Sequence, residues 1–579
     1  MSSTLRAMRP ALHIPRLATS PMSTFAYSSL SLSPPSPSTE DAEFAARVAA
    51  TDAFFKLPRF TSLIRPYTAA DVASKQGSMP PLPLPSALTA DKLWRLFQQR
   101  ASEGLPVHTM GAVDPVQMTQ MAPFQEVLYV SGWAASSLLT TARNEVGPDL
   151  GDYPYTTVPN QVERLFRAQQ LHDRKHYDER LAMGPEARAR TPYIDYLRPI
   201  VADADMGHGG NSTVMKLMKL FAEAGAAGVH LEDQLVGGKK CGHLSGKVLV
   251  PASTHVSRLI AARFQLDMLH HPMLLLARTD AESARLISST VDVRDHPFIR
   301  GVATGKHNCR EKPLAEAVEE AEARGAGAEE VGRIEAAWLE RNALCTFDEA
   351  VYDAIQRSSV HDKEAMMKQY RIASASKSNT DARDIAKDIL GEPVSWNWDL
   401  PKTREGYYHY TGGIDAAITR ALAFAPYADM LWIETKRPDL NQARGFARNV
   451  RECFPDKWFV YNLSPSFNWS AQGFSGMYYE DLTNLVWELG KEGFLLQLIS
   501  LAGLHLNATA TVELAQRYKT DGMLAYVELV QRKEKELGCD VLTHQKWSGA
   551  NYIDRILTTV SAGSSSTSAV GKDSTEHSF

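Results

Sequence analysis

Eight short apolar runs, set between longer stretches with helical spacing, constrain this chain more than any other feature. They read PVHTMGA (106–112), EVLYVSG (126–132), PIVADAD (199–205), GVHLED (228–233), MLLLARTD (273–280), DMLWIET (429–435), WFVYNLS (458–464) and FLLQLISLAG (494–503). Short, nearly continuous apolar runs between helices are the pattern of parallel strands buried on both faces. Eight of them predict an α/β chain folded as a (β/α)8 barrel, whose chemistry collects where the strands end. At those ends the runs carry Asp203, Asp205, Glu232, Asp233, Arg278, Asp280, Glu434 and Asn462.

The fifth run ends at 280 and the sixth begins at 429, too far apart for a barrel loop. Residues 303–398, with stretches such as KPLAEAVEEAEARGAGAEEVGRIEAAWLERNA, are charged and helical in pattern and predict an inserted helical domain. Its charged faces read as solvated helix surface in preference to a partner site. The barrel is then expected over 40–302 and 399–530, and C-terminal helices with a closing tail over 531–579. Residues 1–39 hold Arg6, Arg9, Arg16 and ten serines but no Asp or Glu, the composition of a mitochondrial transit peptide. A disordered Ser/Pro-rich tail reads the same way, and Met22 is an alternative start. The end, HSF, is not a peroxisomal address of the SKL type.

Composition excludes several function classes. With 62 Lys and Arg against 67 Asp and Glu the net charge is −5, without the basic excess that binding to nucleic-acid phosphates favours. No apolar run is long enough to span a membrane. The five cysteines, at 241, 309, 345, 453 and 539, form no CxxC pair, so neither a disulfide framework nor a zinc site is indicated. An enzyme acting on a small molecule remains.

The densest chemistry lies in LEDQLVGGKKCGHLSGKVLVP (231–251), where glycines surround Lys239, Lys240, Cys241 and His243. This reads as a catalytic loop, or as a surface loop with an incidental cysteine. A thiol beside lysines and a histidine is expected to have a lowered pKa and to act as acid or base near neutral pH. Asp203, Asp205, Glu232 and Asp233 are hard oxygen ligands suited to Mg2+, although any one of them also fits a helix cap. Arg278 offers a planar fork for a carboxylate, with Asp280 as its alternative structural partner. Asn462, Ser464 and Ser466 add neutral donors.

The stretch KKCGHLSGKVLVP, with SGW (131–133), PIVAD (199–203), ARTDAE (277–282), LWIET (431–435), YNLSPSFNW (461–469) and LAGLH (501–505), resembles the isocitrate lyase family from about residue 40 to the C-terminus. The resemblance implies a metal-dependent carbon–carbon lyase on a (β/α)8 barrel, a homotetramer with helices exchanged between subunits, and Mg2+, or Mn2+ in its place. It puts Asp203 on the metal directly, with Asp149, Asp205 and Glu232 acting through water. Asp205 departs from the Glu of many members. Ser131, Gly132, Trp133 and Arg278 would hold the oxo-acid product, while Asn462, Ser464, Ser466, Glu434, His243 and Gly242 would hold the succinate half. Cys241 would be the general acid and Tyr129 a candidate base.

Members of the family cleave isocitrate to glyoxylate or 2-methylisocitrate to pyruvate, with succinate as the second product. Isocitrate lyases typically read WQFITLAGLH or FQFITLAGFH at the eighth strand, whereas this chain reads LLQLISLAGLH, with Leu496, Leu498 and Ser500 smaller than the residues they replace. Each change is expected to enlarge the cavity, unless it is neutral repacking of the barrel core. Leu244 does not discriminate between the two. With the N-terminal composition, this predicts 2-methylisocitrate cleavage in the mitochondrial matrix, with isocitrate cleavage as the alternative. The phosphonate-handling enzymes of the wider superfamily lack the KKCGH loop, and the intact residue set argues against an inactive scaffold.

Overall fold

The eight runs form eight parallel strands: β1 (Val107–Met110), β2 (Leu128–Val130), β3 (Ile200–Asp203), β4 (Ala226–Glu232), β5 (Leu274–Thr279), β6 (Met430–Ile433), β7 (Trp458–Asn462) and β8 (Phe494–Ile499). They neighbour one another in chain order, and β8 pairs with β1, Leu498 opposite Thr109. A parallel bridge between Gly111 and Tyr129, with the Ala112 N–H donating to the Tyr129 carbonyl at 3.0 Å, closes the barrel. The computed structural model describes residues 32–140, 144–303, 312–359, 361–472, 479–563, 567–570 and 574. Most of the expected transit peptide, residues 1–31, lies outside them.

Both faces of each strand are covered, which is why the runs read as continuously apolar. Inward, Val201, Leu274, Leu276, Trp432, Val460, Leu496 and Leu498 fill the barrel, and Leu93 and Phe97 of helix Pro85–Glu103 join them from its N-terminal end. Outward, Ile200, Ala202, Val229 and Leu231 pack on helices such as Asn211–Ala224. At the catalytic end, Gly111 passes so close to β8 that a Cβ there would stand 2.0 Å from the Ser500 carbonyl oxygen. Only glycine permits that approach, which fixes where Ser500 sits.

The chain leaves the barrel after β5 and returns at helix Ile414–Phe424, which packs against the barrel. Between them lie helices Leu314–Ala323, Ala328–Arg341, Phe347–Arg357, Lys363–Ser374 and Asn379–Leu390. Arg300–Ala303, Leu344–Thr346 and Trp396–Asn397 form an antiparallel sheet beside them, which a reading by helical periodicity does not anticipate because strands this short carry no period. This segment has its own apolar clusters, around Trp338 and around Tyr370 and Trp396.

Asp233, grouped by its position with the hard oxygen ligands, instead holds the fold together. Its carboxylate accepts from Thr279 Oγ1 (2.7 Å), the Asp280 N–H (2.9 Å) and Arg420 Nη1 (3.0 Å). Arg420, fully buried, also donates to Asp295 Oδ1 (2.8 Å) and the Val250 carbonyl (2.9 Å). Removing one partner of a buried ion pair strands the others. We therefore expect Arg420→Ala to cost about 3–5 kcal/mol, read as a lower urea midpoint, whereas a change near zero would show that the cluster carries no stability.

Candidate active site

β3 delivers the first group of side chains. Asp203 ends the strand, and its carboxylate accepts from the N–H groups of Gly132 (3.0 Å) and Asp205 (2.9 Å). Asp205 follows in the left-handed region, φ +47°, which aspartate tolerates better than most residues. That turn points its carboxylate at Lys239 Nζ, 2.6 Å away, while the Tyr153 hydroxyl donates to its other oxygen. Lys239 also meets Asp149 at 2.5 Å. Burial raises Asp205, but Lys239 and His208 outweigh it and hold the carboxyl well below its usual range. Asp149 and Asp203 are pushed up to about 6, by burial first and by the Asp205 charge second.

The KKCGH loop is irregular yet firmly tied. Gln234 Nε2 donates to the Lys240 carbonyl (2.8 Å) and to Glu232 Oε1 (3.0 Å), and Gln234 Oε1 accepts the Lys240 N–H (2.8 Å). Lys247, wholly buried, joins the Gly242 carbonyl to Asp280 Oδ1 (2.6 Å) and Ser283 (2.8 Å). The Cys241 thiol does not have the lowered pKa expected from its neighbours. Burial and the Asp149 carboxylate push it up to about 11, against Lys239 and Arg278, so the sulfur keeps its proton at neutral pH. Tyr129 is likewise unsuited at rest to the base role expected of it. Burial and Asp203 raise its phenol well above 10, and its hydroxyl bonds His230 Nε2 at 2.9 Å.

Across the cavity, Arg278 on β5 lies over the Trp432 ring (5.2 Å), paired with Asp280 at 3.1 Å and with Glu232 at 3.4 Å. Asp280 is thus its structural partner, leaving the outer edge of the guanidinium toward the cavity. Glu434 is oriented by Trp432 Nε1 (3.0 Å) and Asn462 Nδ2 (3.2 Å). The loop packs so tightly here that a Cβ on Gly242 would stand 2.2 Å from Glu434 Oε1. His243 Nδ1 lies 3.4 Å from Ser464 Oγ, which accepts the Ser466 N–H at 3.1 Å, and its ring meets Phe467 edge-on.

One cavity is lined by Tyr129, Ser131, Trp133, Asp149, Asp203, Cys241, Gly242, His243, Arg278, Glu434, Asn462, Ser464, Ser466 and Ser500, as the sequence led us to expect, and also by Lys239, Trp432 and Leu501. Gly132 stands behind it as a donor to Asp203, and Asp205 and Glu232 support it from below. Leu498 does not reach it. Leu498 lies with Leu496 deeper in the barrel core, so neither borders the cavity, and of the three only Ser500 lines it. Sequence reading missed His230, Gln234, Lys247 and Tyr153. His230 had a signal: a polar residue inside an otherwise apolar strand.

Six buried carboxyl groups, Asp149, Asp203, Asp205, Glu232, Asp280 and Glu434, share this region with three buried cations, Lys239, Lys247 and Arg278. Asp149 Oδ1 is buried without a hydrogen-bond partner. Among the described residues no three ligand side chains converge on one point, since Lys239 separates Asp149 from Asp205. An all-oxygen set with surplus negative charge nevertheless fits a hard divalent cation held by one carboxylate and, through water, by the rest, the habit of Mg2+.

The isocitrate lyase family matches residues 47–579. The chain belongs to that family. It is 56% identical over 543 residues to "2-methylisocitrate lyase, mitochondrial" of Hypocrea atroviridis, covering 93% of this chain and 95% of that one. It is 49% identical to a mitochondrial 2-methylisocitrate lyase of Saccharomyces cerevisiae, covering 90% of each, and 45% identical to the isocitrate lyase of the same yeast, covering 90% and 93%.

Because its thiol is raised to about 11, Cys241 should be alkylated by iodoacetamide at pH 8 at least about tenfold more slowly than the exposed Cys453, and faster as the pH climbs toward 11. Peptide mapping of the two rates checks this, and equal rates would mean the loop opens enough to ionise the thiol.

Proposed function

We propose that this lyase cleaves 2-methylisocitrate to pyruvate and succinate, as a Mg2+-dependent homotetramer of the mitochondrial matrix. The observation that carries the chemistry is that Cys241, whose thiol burial keeps protonated, lines one cavity with Arg278 and Glu434. As the substrate hydroxyl loses its proton and becomes a carbonyl, the adjacent C–C bond breaks and its electron pair passes to the succinate half. That half needs a proton at carbon, and a neutral thiol is a donor where a thiolate is not. Arg278 holds the oxo-acid carboxylate, and Asn462, Ser464 and Ser466 hold the succinate carboxylates. His243, its pKa lowered by burial, stays neutral and donates a hydrogen bond without adding charge.

Asp203, with Asp149, Asp205 and Glu232 around it, would hold Mg2+, which when bound would supply Lewis-acid stabilisation of the oxygen that becomes the carbonyl. Mn2+ fits the same donors. The choice of the larger substrate is supported by Ser500 at the cavity wall, one methyl smaller than the Thr of typical isocitrate lyases, and by the two 2-methylisocitrate lyases that share more residues with this chain than the yeast isocitrate lyase does. Those two relatives are named mitochondrial, which agrees with the composition of residues 1–39.

Assembly is supported by the C-terminal helices. Helix Ala502–Asp521 buries only Gly503, and Leu506, Val512, Tyr518, Met523, Leu524, Ile553 and Leu557 are exposed on the single chain. Apolar surface of this extent calls for another subunit to cover it.

With Mg2+ present, kcat/KM for 2-methylisocitrate should exceed that for isocitrate by about tenfold or more, and Ser500→Thr should move the ratio toward isocitrate by about 1–3 kcal/mol, roughly 10–200-fold. A native preference for isocitrate overturns the substrate choice. EDTA should abolish both activities and added Mg2+ restore them, and activity that survives EDTA removes the metal from the proposal.

A further inference from the structure

At the N-terminal end of the barrel, opposite the catalytic mouth, lies a cavity of about 730 Å3. That volume is in the usual range for small-molecule sites. One wall is aromatic: Trp94 of helix Pro85–Glu103 and Trp458 at the start of β7 lie 4.8 Å apart, both half-buried, and present ring surface to the cavity.

The rest of the lining carries both signs: Arg59 is paired with Asp429 and Lys491 with Glu488, Asp456 stands at the rim, and two cations, Lys457 and Arg451, make no ion pair among the described residues. Lys457 is nearly buried, and its Nζ donates to the Ala425 and Ala428 carbonyls, each at 2.8 Å, leaving one N–H over. Burial lowers it to about 8, and among the described residues it has no carboxylate within ion-pair distance. Asp429, the buried acid nearby, is saturated by Arg263 (2.7 Å), Arg59 (3.3 Å) and the Leu275 N–H (2.8 Å). Arg451, on helix Leu440–Cys453, spends its Nε on the Lys457 carbonyl at 3.3 Å. Its two terminal nitrogens have no hydrogen-bond or ion-pair partner among the described residues, although the guanidinium is held in place over the Phe459 ring at 5.3 Å. Gly493, at φ +91°, makes that placement possible, because a Cβ there would stand 1.9 Å from Arg451 Nη2.

A fixed guanidinium with free N–H groups, beside a buried ammonium with one to spare, is suited to a phosphate or carboxylate. The tryptophan wall suits a flat ring. We propose that this cavity is a second binding site, for a small anion bearing a planar ring, of the nucleoside monophosphate class. The ring lies against Trp94 and Trp458, and the phosphate meets Arg451 and Lys457. The site shares no lining residue with the catalytic cavity and does not depend on which tricarboxylate is cleaved there.

Titration calorimetry on the full chain tests this with AMP, adenosine and inorganic phosphate, in the presence of Mg2+ and saturating succinate to occupy the catalytic cavity. AMP should saturate with Kd below about 1 mM and bind at least about tenfold more tightly than either half alone. Arg451→Gln and Trp94→Leu should each weaken AMP about tenfold or more while leaving kcat and KM for the tricarboxylate unchanged, which also shows that both variants fold. Absence of saturation, phosphate binding as tightly as AMP, AMP binding seen only when succinate is left out, or AMP affinity untouched by Arg451→Gln overturns the proposal.

Discussion

Lys239 holds the catalytic end together. Its ammonium, buried between Asp149 and Asp205, joins three parts of the chain: the segment after β2, the turn after β3, and the loop that carries Cys241. Three charges taken out of water at once are tolerable only at short range, so each fixes the position of the others. The Asp205 charge that Lys239 sustains adds to burial in raising Asp149 and Asp203, and Asp149 then helps keep the Cys241 thiol neutral. Geometry and proton affinity in this site are one arrangement seen in two ways.

The barrel was legible because its physics is written into runs of residues. Strands covered on both faces must be apolar throughout, and the polar residues that interrupt them at the ends must face a mouth. Asp203, Arg278, Glu434 and Asn462 follow from that rule without further help. What the sequence does not carry is direction in space. Asp233 adjoins Glu232 in the chain but points outward to Arg420, because successive residues leaving a strand face opposite sides. Leu498 and Ser500 differ instead in height along the barrel: one is core and the other is wall. Burial is equally invisible in sequence. The lysines, histidine and cysteine of KKCGH suggest a thiolate if the loop is imagined in water, and the opposite once the sulfur is enclosed beside a carboxylate.

The two ends of the barrel treat charge differently. At the catalytic mouth acids outnumber bases, and burial raises three carboxyls, those of Asp149, Asp203 and Glu232. At the far end Lys457 and Arg451 make no ion pair among the described residues, with Asp429, Asp456 and Glu492 acting on them only at longer range, and burial lowers Lys457 toward neutrality. Each imbalance marks a place where the polypeptide alone has not satisfied its own electrostatics.

The inserted segment has a consequence for how the barrel can form. Pairing β5 with β6 requires bringing Thr279 next to Ile433, and a structureless connection of that length makes closure slow and entropically unfavourable, by about 0.6 kcal/mol for each doubling of the loop. The antiparallel pairing of Ala303 with Trp396 shortens the path, because the two ends of the insertion meet side by side. Once that small sheet exists, the barrel experiences only the short stretches on either side of it. The segment between can change length or sequence at little cost to barrel closure, so that evolution is freer there than its span in the chain suggests.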